Sequence, residues 1–318
     1  MNYLSLIINS NLFFVLFILT THSCIGQTAQ AEQKDSDRQY FGQKVPGSTP
    51  QIFAPGNISV EGRYEFGSTL SKDGKEFFYG VDDNGHNKIY YTLLTEKGWS
   101  EHHLLYPGDT FGHNDPMLSP NEDRLYFISN RPIEKDGKSK DIDIWYAERT
   151  NDGWSQPKNP GPPVNNNLNQ YFASFTQEGH LYYGSKDKSP DAPGYAFDIY
   201  KADWVDGAFA NATKLPETIN THRYEADVFI APDESYMIFC SIRRDGLGDG
   251  DLYLSWKNEA DEWVDAINIG APVNTPGHEL CPFVTPDGKY LMYTSNKDIW
   301  WVSMELIYNL MKNQIRKG

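Results

Sequence analysis

Apolar runs and turn residues alternate along this chain in a pattern that recurs five times. In each copy a short apolar run leads into a polar turn, and an aromatic-rich run follows. Equivalent turn positions are spaced by 48, 57, 55 and 54 residues: Ser71, Ser119, Thr176, Ala231 and Thr285. The aromatic-rich runs are Phe77–Tyr79, Leu125–Phe127, Leu181–Tyr183, Met237–Phe239 and Leu291–Tyr293. Two such runs joined by a turn containing Pro, Asp or Gly predict a β-hairpin in every copy.

Further runs with strand character follow each hairpin. The third runs are Lys88–Tyr90, Asp143–Trp145, Asp198–Tyr200, Asp251–Tyr253 and Asp298–Trp300. The fourth begin at Gly98–Ser100, Gly153–Ser155, Gly207–Phe209 and Glu262–Val264. Four strands in a repeat of about fifty residues form a propeller blade. The sequence therefore predicts an all-β fold, a five-bladed β-propeller.

The fifth copy has no fourth strand of its own. The segment 48–56 parallels 154–161 in the second copy, so the N-terminal strand is expected to complete the last blade. Such closure removes two open sheet edges, which otherwise invite aggregation. The predicted propeller covers residues 48–303, and the tail 304–318 is expected to form a short helix.

The repeats resemble those of the TolB-type, WD-like β-propeller proteins of bacterial envelopes. The stretches SPNEDRLYFISNR, DIDIWYAERTNDGWSQP and TPDGKYLMYTSNKDIWW carry the resemblance, which covers 48–303. It implies the propeller fold and an envelope protein as an alternative binding partner. Function has to be argued from a site, because one fold hosts many activities.

Composition narrows the classes of partner. The chain has 318 residues and a net charge of -15. An acidic chain repels phosphate backbones, so nucleic acid is excluded as a partner, and we expect a monomer.

The N-terminus reads as an export signal. The run Leu12–Leu19 is apolar but too short to span a bilayer. Residues 1–26 are predicted to be a signal peptide and 27–47 a flexible segment, giving a secreted or periplasmic protein. Lipidation of Cys24 is the alternative. Cys240 and Cys281 then remain, and we expect buried free thiols rather than a disulfide framework.

Candidate site residues come from the loops that enter the first strand of each blade, because these loops converge on one end of the propeller axis. Aligned on the turn, one column of residues, which we call the ring position, holds Glu65, His113, Gln170, Glu225 and Glu279. The two preceding columns include Tyr64, Tyr224 and His278, and Arg63 and Arg223. The loop after the second strand adds Arg131, Arg243 and Lys297 at the same end. Cations, His and Tyr on one rim of an acidic protein predict a pocket for an anionic ligand.

A structural explanation competes with the pocket. Carboxylates crowded at an axis need cations nearby, because an unpaired buried charge is costly. Arg243 would then neutralise Glu225, and Lys297 would neutralise Glu279. This explanation does not account for His113 at the ring position, nor for the repeated Arg-Tyr-Glu triplets that begin at Arg63 and Arg223.

Cofactor motifs are not found in the sequence. It has no Gly-x-Ser-x-Gly elbow, no phosphate loop and no Cys-x-x-Cys. We predict no cofactor, with a divalent metal bound by His113, His222 and His278 as the alternative. The loop Asp245–Asp251 carries three Asp but lacks the closing Glu of an EF-hand.

The first functional hypothesis rests on an analogy of architecture and site chemistry. A basic, His- and Tyr-lined funnel is similar to that of propeller-fold uronate lyases and of the oligosaccharide dehydratase of ulvan-degrading bacteria. This similarity implies β-elimination at a uronic acid of an anionic oligosaccharide. His113 is then the predicted base, Tyr64 or Tyr224 the acid, and Arg223, Arg63 or Arg131 the carboxylate partner. The remaining predicted substrate-binding residues are Arg243, Glu65, Glu225, His278 and Glu279.

Two alternatives stay open. One is a non-catalytic, TolB-like propeller that binds an envelope protein or a glycan through the same funnel. The other is a glycoside hydrolase that uses two of Glu65, Glu225 and Glu279 as paired carboxylates, which requires a separation of roughly 5–10 Å.

Overall fold

The computed structural model describes residues 39–134, 137, 141–186 and 194–316. The chain divides into two units, and of the first, 1–43, the structure describes one 3₁₀ turn, Gln39–Gly42. The predicted signal peptide and Cys24 lie outside the described residues. The second unit begins at Lys44 and consists of five antiparallel sheets, each a propeller blade.

The predicted five-bladed propeller is confirmed, and each blade contains one copy of the sequence repeat. Blade 1 has β2 (Tyr64–Leu70), β3 (Glu76–Asp83), β4 (His86–Thr95), β5 (Gly98–Trp99) and β6 (His103–Leu104). Blade 2 has β7 (His113–Leu118), β8 (Arg124–Ser129), β9 (Asp143–Thr150) and β10 (Gly153–Trp154). Blade 3 has β11 (Gln170–Phe175), β12 (Leu181–Lys186), β13 (Phe197–Val205) and β14 (Ala208–Lys214). Blade 4 has β15 (Glu225–Ile230), β16 (Tyr236–Ser241), β17 (Asp251–Trp256) and β18 (Ile267–Asn268).

Blade 5 combines both ends of the propeller, as the sequence predicted. It contains β19 (Leu280–Val284), β20 (Tyr290–Ser295), β21 (Asp298–Ser303) and, as its outer strand, β1 (Gln51–Ile52). Gln51 pairs with Trp301. The buried ring of Phe53 lies 5.2 Å from both Trp301 of blade 5 and Phe77 of blade 1. The closing strand therefore joins the last blade to the first through aromatic packing as well as backbone hydrogen bonds.

The C-terminal tail contains helix α1 (Glu305–Ile315), directly after the last strand. Ile307 is buried, and the Tyr308 hydroxyl donates a hydrogen bond to the carbonyl of Gly288 at 3.2 Å. The helix is thus attached to the hairpin turn of blade 5.

A buried asparagine fixes the third strand in three of the blades. Asn220 accepts a hydrogen bond from the backbone N–H of Ile199 at 2.7 Å and donates one to its carbonyl at 3.0 Å. Asn165 and Asn274 repeat this arrangement on Ile144 and Leu252. Buried backbone groups need such partners, so the Asn that follows Val or Ile in each entry segment is a structural residue.

Every inner strand carries an irregularity of the β-bulge type near its start. The register shifts within β2, β7, β11, β15 and β19. A bulge redirects the side chain at that point, and bulges are frequent next to functional sites. This irregularity brings a second column of residues to the axis.

Candidate functional site at the propeller axis

Ring-position side chains are buried and bound to the loop that precedes them. The carboxylate of Glu225 accepts hydrogen bonds from the Thr221 N–H at 2.9 Å, the Thr221 hydroxyl at 2.7 Å and the Ser241 hydroxyl at 2.7 Å. Glu279 receives the same two hydrogen bonds from Thr275, at 3.0 and 2.7 Å. These carboxylates brace the entry loops.

His113 occupies the ring position of blade 2, and the residue four positions earlier is an aspartate. Its Nε2 atom lies 3.1 Å from Oδ2 of Asp109, which also forms an ion pair with Arg131. The imidazole packs against the rings of Tyr106 and Phe127 and is 2% exposed. Burial lowers the pKa of His113 to about 4, against the opposing charge of Asp109. The imidazole is therefore neutral at neutral pH.

The hydrogen bond between His113 and Asp109 explains why a histidine stands at a ring position that is glutamate in three other blades. In blade 4, Thr221 supplies the donor and Glu225 the acceptor, whereas in blade 2 the carboxylate is on Asp109 and its partner is His113. The structure brings His113 and Arg131 together through Asp109. Within the described residues, no hydrogen bond or ion pair joins this group to Glu225.

Two of the predicted arginines are held by their own blades. Arg63 forms an ion pair with Glu65 and donates to the carbonyl of Ile58 at 2.8 Å. Arg243 lies 3.5 Å from the Glu225 carboxylate and stacks 4.7 Å above the ring of Tyr253. Both guanidinium groups are thereby engaged in the scaffold.

Arg223 differs from these arginines. Its backbone N–H donates to the Thr221 hydroxyl at 3.2 Å, and its carbonyl accepts from the N–H of Phe197 at 3.2 Å. The half-buried guanidinium has no ion pair with any described residue. It is therefore available to an anionic ligand at the entry end of blade 4.

A further column of residues lies at the bulge, two positions after the ring position, and we call it the axial position. Its five residues all adopt left-handed backbone conformations, with φ of 46°, 53°, 53°, 50° and 52°: Gly67, Asp115, Phe172, Asp227 and Cys281. The left-handed region is unfavourable for residues with a Cβ, so the bulge imposes it at four of the five sites.

Residues at the axial position of four blades are mutual neighbours. The Cys281 thiol donates to Oδ1 of Asp115 at 3.6 Å, and its backbone N–H is hydrogen-bonded to the Asp227 carboxylate. A Cβ atom at Gly67 would lie 2.6 Å from Oδ1 of Asp115. Blades 1, 2, 4 and 5 therefore meet around Asp115, and the residues Asp115 and Asp227 are each 6% exposed.

The surroundings of this carboxyl pair favour protonation. Burial, with the charge of Asp227 adding to it, raises the pKa of Asp115 to about 8. Burial also raises the pKa of Asp227 to about 7, opposed by the N–H of Cys281. Both carboxyls therefore hold their protons more strongly than an exposed aspartate does, and the buried pair favours keeping a proton near neutral pH.

Three half-buried tyrosines lie close to Asp115 and Asp227: Tyr64 on β2, Tyr171 on β11 and Tyr224 directly before β15. Burial raises the pKa of each phenol, and the negative charge of the axial carboxyls adds to the effect. The phenols therefore keep their protons at neutral pH and can donate hydrogen bonds. We call these tyrosines, together with the two carboxyls, the axial mouth.

The predicted metal ligands do not cluster. No group of three or more His, Cys, Asp or Glu able to hold a metal occurs among the described residues. The exposed His278 lies 3.5 Å from the Cys240 thiol. In the loop Asp245–Asp251, the Asp251 carboxylate accepts hydrogen bonds from the N–H groups of Leu247 and Gly248, which accounts for the loop as a capped turn.

Sequence reasoning reached the axial tyrosines Tyr64 and Tyr224 but missed the carboxyl pair. Asp115 and Asp227 share one alignment column, and the same comparison of repeats extended by two positions would have found them. Nothing in the sequence indicates the bulge that turns this column toward the axis, because a regular strand gives no preference to that position.

Comparison with known proteins gives similarity of fold. No protein-family model and no curated protein sequence matches this chain. Among solved structures, TolB from Acinetobacter baumannii matches with a TM-score of 0.48 and 13% identity, over 75% of this chain and 54% of TolB. Oligogalacturonate lyase from Vibrio parahaemolyticus matches with a TM-score of 0.42 and 14% identity, over 79% of this chain and 67% of the lyase. A gluconolactonase from Xanthomonas campestris matches with a TM-score of 0.46 and 13% identity, over 82% of this chain and 96% of the gluconolactonase.

The chain thus spans about half the length of the TolB structure. Within residues 39–134, 137, 141–186 and 194–316, no helix is long and apolar enough to cross a membrane.

Proposed function

We propose that this chain is an exported carbohydrate-active enzyme that performs β-elimination at a uronic acid of an anionic oligosaccharide, with the axial mouth as its active site. The observation that carries the proposal is the carboxyl pair Asp115 and Asp227, with pKa values raised to about 8 and about 7. Strongly perturbed carboxyls are typical of acid–base catalysis, and a pair with one protonated member supplies both an acid and a base.

The proposed reaction uses the two carboxyls in turn. Asp227, as the carboxylate, removes the proton at C5 of the uronic acid. The electrons of the C–H bond form the double bond between C4 and C5, and the C4–O bond breaks with its electrons on oxygen. Asp115 gives its proton to that oxygen. The proton ends on Asp227, and transfer back to Asp115 or exchange with solvent restores the starting state.

Arg223 is assigned to the substrate carboxylate. Its guanidinium has no ion pair with any described residue, whereas those of Arg63, Arg131 and Arg243 are each bound to a carboxylate. Neutralising the uronate carboxylate makes the C5 proton more acidic, and a bidentate arginine is well suited to this task. Tyr224, next in the chain, donates to substrate oxygens.

The proposal gives scaffold roles to several residues that the sequence suggested for the site. His113 is 2% exposed and bound to Asp109, so the base is assigned to Asp227 instead. The ring-position glutamates are occupied by hydrogen bonds or ion pairs inside their own blades. These residues are Glu65, Glu225 and Glu279. The proposed chemistry needs no cofactor, and the proposal treats the protein as a monomer.

A panel of uronate-containing oligosaccharides tests the proposal. Elimination creates a conjugated double bond, so ultraviolet absorbance should rise with time. Asp227→Asn should lower kcat by at least about a hundredfold, because it removes the base. Arg223→Gln should raise KM about tenfold and also lower kcat, since it removes a charge-assisted contact that makes the C5 proton more acidic. Arg244→Gln, an exposed arginine of the neighbouring loop, is the matched control and should leave both constants unchanged.

Other products would identify the alternatives. New reducing ends without a rise in absorbance would mean hydrolysis, for which Asp115 and Asp227 also offer an acid and a base. A fully active Asp227→Asn variant would contradict the assignment of Asp227 as the base, and with it the proposed active site.

A second candidate is a non-catalytic propeller that binds a glycan or an envelope protein at the same mouth. The low exposure of Asp115 and Asp227, 6% each, favours it, because a reacting atom needs access to these groups. Calorimetric binding of the oligosaccharide without turnover would support this candidate over the enzyme. Export belongs to both candidates and rests on the apolar run Leu12–Leu19.

A further inference from the structure

Blades 2 and 3 enclose a cleft at the opposite end of the inner strands from the axial mouth. Its volume is about 240 Å³, enough for a single six-membered ring. Four aromatic residues line it: Tyr126, Phe175, Trp204 and Phe209. Small-ligand sites commonly combine such apolar walls with a few placed polar groups.

The polar group that distinguishes this cleft is Arg124, at the start of β8. Its guanidinium carbon lies 4.9 Å from the ring centre of Tyr146 and 5.4 Å from that of Trp204. Its guanidinium donates a hydrogen bond to the Tyr126 hydroxyl at 3.4 Å. No described carboxylate forms an ion pair with this half-buried arginine, although its planar fork is suited to bind one.

Arg149, on the third strand of blade 2, lines a neighbouring cleft and offers a comparison of side-chain contacts, although it is not at the position of Arg124 in the repeat. Its guanidinium stacks 4.5 Å from the ring centre of Trp154. Both of its terminal nitrogens are bound by the Glu76 carboxylate, at 2.9 and 2.6 Å. Arg124 therefore has the aromatic stacking of Arg149 without the carboxylate.

We propose that the cleft at Arg124 binds a carboxylate carried on a six-membered ring, such as a uronic acid residue, with the carboxylate at Arg124 in the role that Glu76 plays at Arg149. The ring would lie against Trp204 and Phe209. Asp123 and Glu178 also line the cleft, but both are exposed, where water and salt screen their charge. This second site is independent of the proposed catalysis and would exist in a non-catalytic propeller as well.

Binding of monosaccharides tests this proposal. The full chain carrying Arg223→Gln, which removes the charge assigned to the axial mouth, is titrated with glucuronate, glucose and benzoate by calorimetry and tryptophan fluorescence. Glucuronate should bind, and glucose should bind at least about tenfold more weakly, because it lacks the charged partner. Adding Arg124→Gln should weaken glucuronate binding about tenfold, and Arg124→Lys should weaken it less, since it keeps the charge but loses the fork.

Arg149→Gln is the matched control, because it removes a stacked arginine that already has a carboxylate. Glucuronate binding should survive this change. Benzoate binding tighter than glucuronate would identify an aromatic carboxylate as the natural source of the same chemistry. Equal binding of glucose and glucuronate, or an equal loss in the Arg124→Gln and Arg149→Gln variants, would overturn the proposal. Turnover at the axial mouth in an otherwise wild-type chain should be unaffected by Arg124→Gln, so failure here is distinct from failure of the proposed enzyme.

Discussion

The Sγ atom of Cys281 lies 3.6 Å from Oδ1 of Asp115, and this contact joins blade 5 to blade 2 across the axis of the ring. The two residues are 166 positions apart in the chain. The backbone N–H of Cys281 is hydrogen-bonded to Asp227 of blade 4. One residue thus connects the two carboxyls on which the proposed chemistry depends.

Gly67 should resist substitution, because its missing side chain leaves room for Asp115. Gly67→Ala would place a Cβ atom 2.6 Å from Oδ1 and 3.1 Å from the Cα of Asp115, at a φ of 46°. We expect a loss of about 2–4 kcal/mol in the free energy of unfolding, measured by urea denaturation. Gly47→Ala is the control, since no atom lies within 4 Å of the added Cβ. Adding Asp115→Gly to Gly67→Ala should recover part of the loss, and no recovery would contradict the assigned clash.

The fall of stability between about pH 4 and pH 8 should depend on the axial carboxyls. Their pKa values are raised in the folded state to about 8 and about 7, so the folded protein binds more protons than the unfolded chain between about pH 4 and pH 8. The contribution of these groups to stability is complete below the unfolded pKa and is lost as the pH rises through the folded values. Asp227→Asn should therefore flatten the fall in the free energy of unfolding up to pH 8. An unchanged pH profile in this variant would contradict the raised pKa of Asp227.

His113 should affect the pH dependence of stability in the opposite direction, because its contribution is lost as the pH falls. Its pKa is lowered to about 4 in the folded state, so the unfolded chain binds more protons between about pH 4 and pH 6.5. Its contribution to stability is complete above the unfolded pKa and is lost as the pH falls. His113→Gln, which introduces the residue that blade 3 has at this position, should remove this part of the acid dependence in denaturation experiments. If the same variant lost turnover by a hundredfold or more, His113 rather than Asp227 would be the base.

Asn220 should be among the most sensitive polar residues of the scaffold. Asn220→Ala leaves the N–H and carbonyl of Ile199 and the carbonyl of Leu215 without their side-chain partner. We expect a loss of about 3 kcal/mol in the free energy of unfolding, because these groups stay buried. Asn309→Ala, on the exposed side of α1, should change stability by no more than about 0.5 kcal/mol. Equal effects of the two substitutions would argue against the role of Asn220 in fixing the third strand.

Part of the candidate site could be predicted by comparing the five sequence repeats with one another. Aligning the repeats gave the ring position and the tyrosines Tyr64 and Tyr224, because their spacing from the hairpin turn is constant. The same alignment contains the explanation for His113, since Asp109 stands where Thr221 and Thr275 stand in other repeats. The replacement of a Thr–Glu pair by Asp109 and His113 becomes visible only when the residue four positions before the ring position is compared as well.

The sequence by itself determined the number of blades, their four strands and the closure by the N-terminal strand, because these depend on the local alternation of apolar runs and turns. Tertiary structure alone decided which charged groups are engaged and which are left available. Arg63 and Arg223 occupy the same place in identical Arg-Tyr-Glu triplets, yet Arg63 binds Glu65 while Glu225 is already bound by Thr221 and Ser241. The pairing of Asp115 with Asp227 depends on bulges and on contacts between blades far apart in the chain, and neither is encoded in a local pattern.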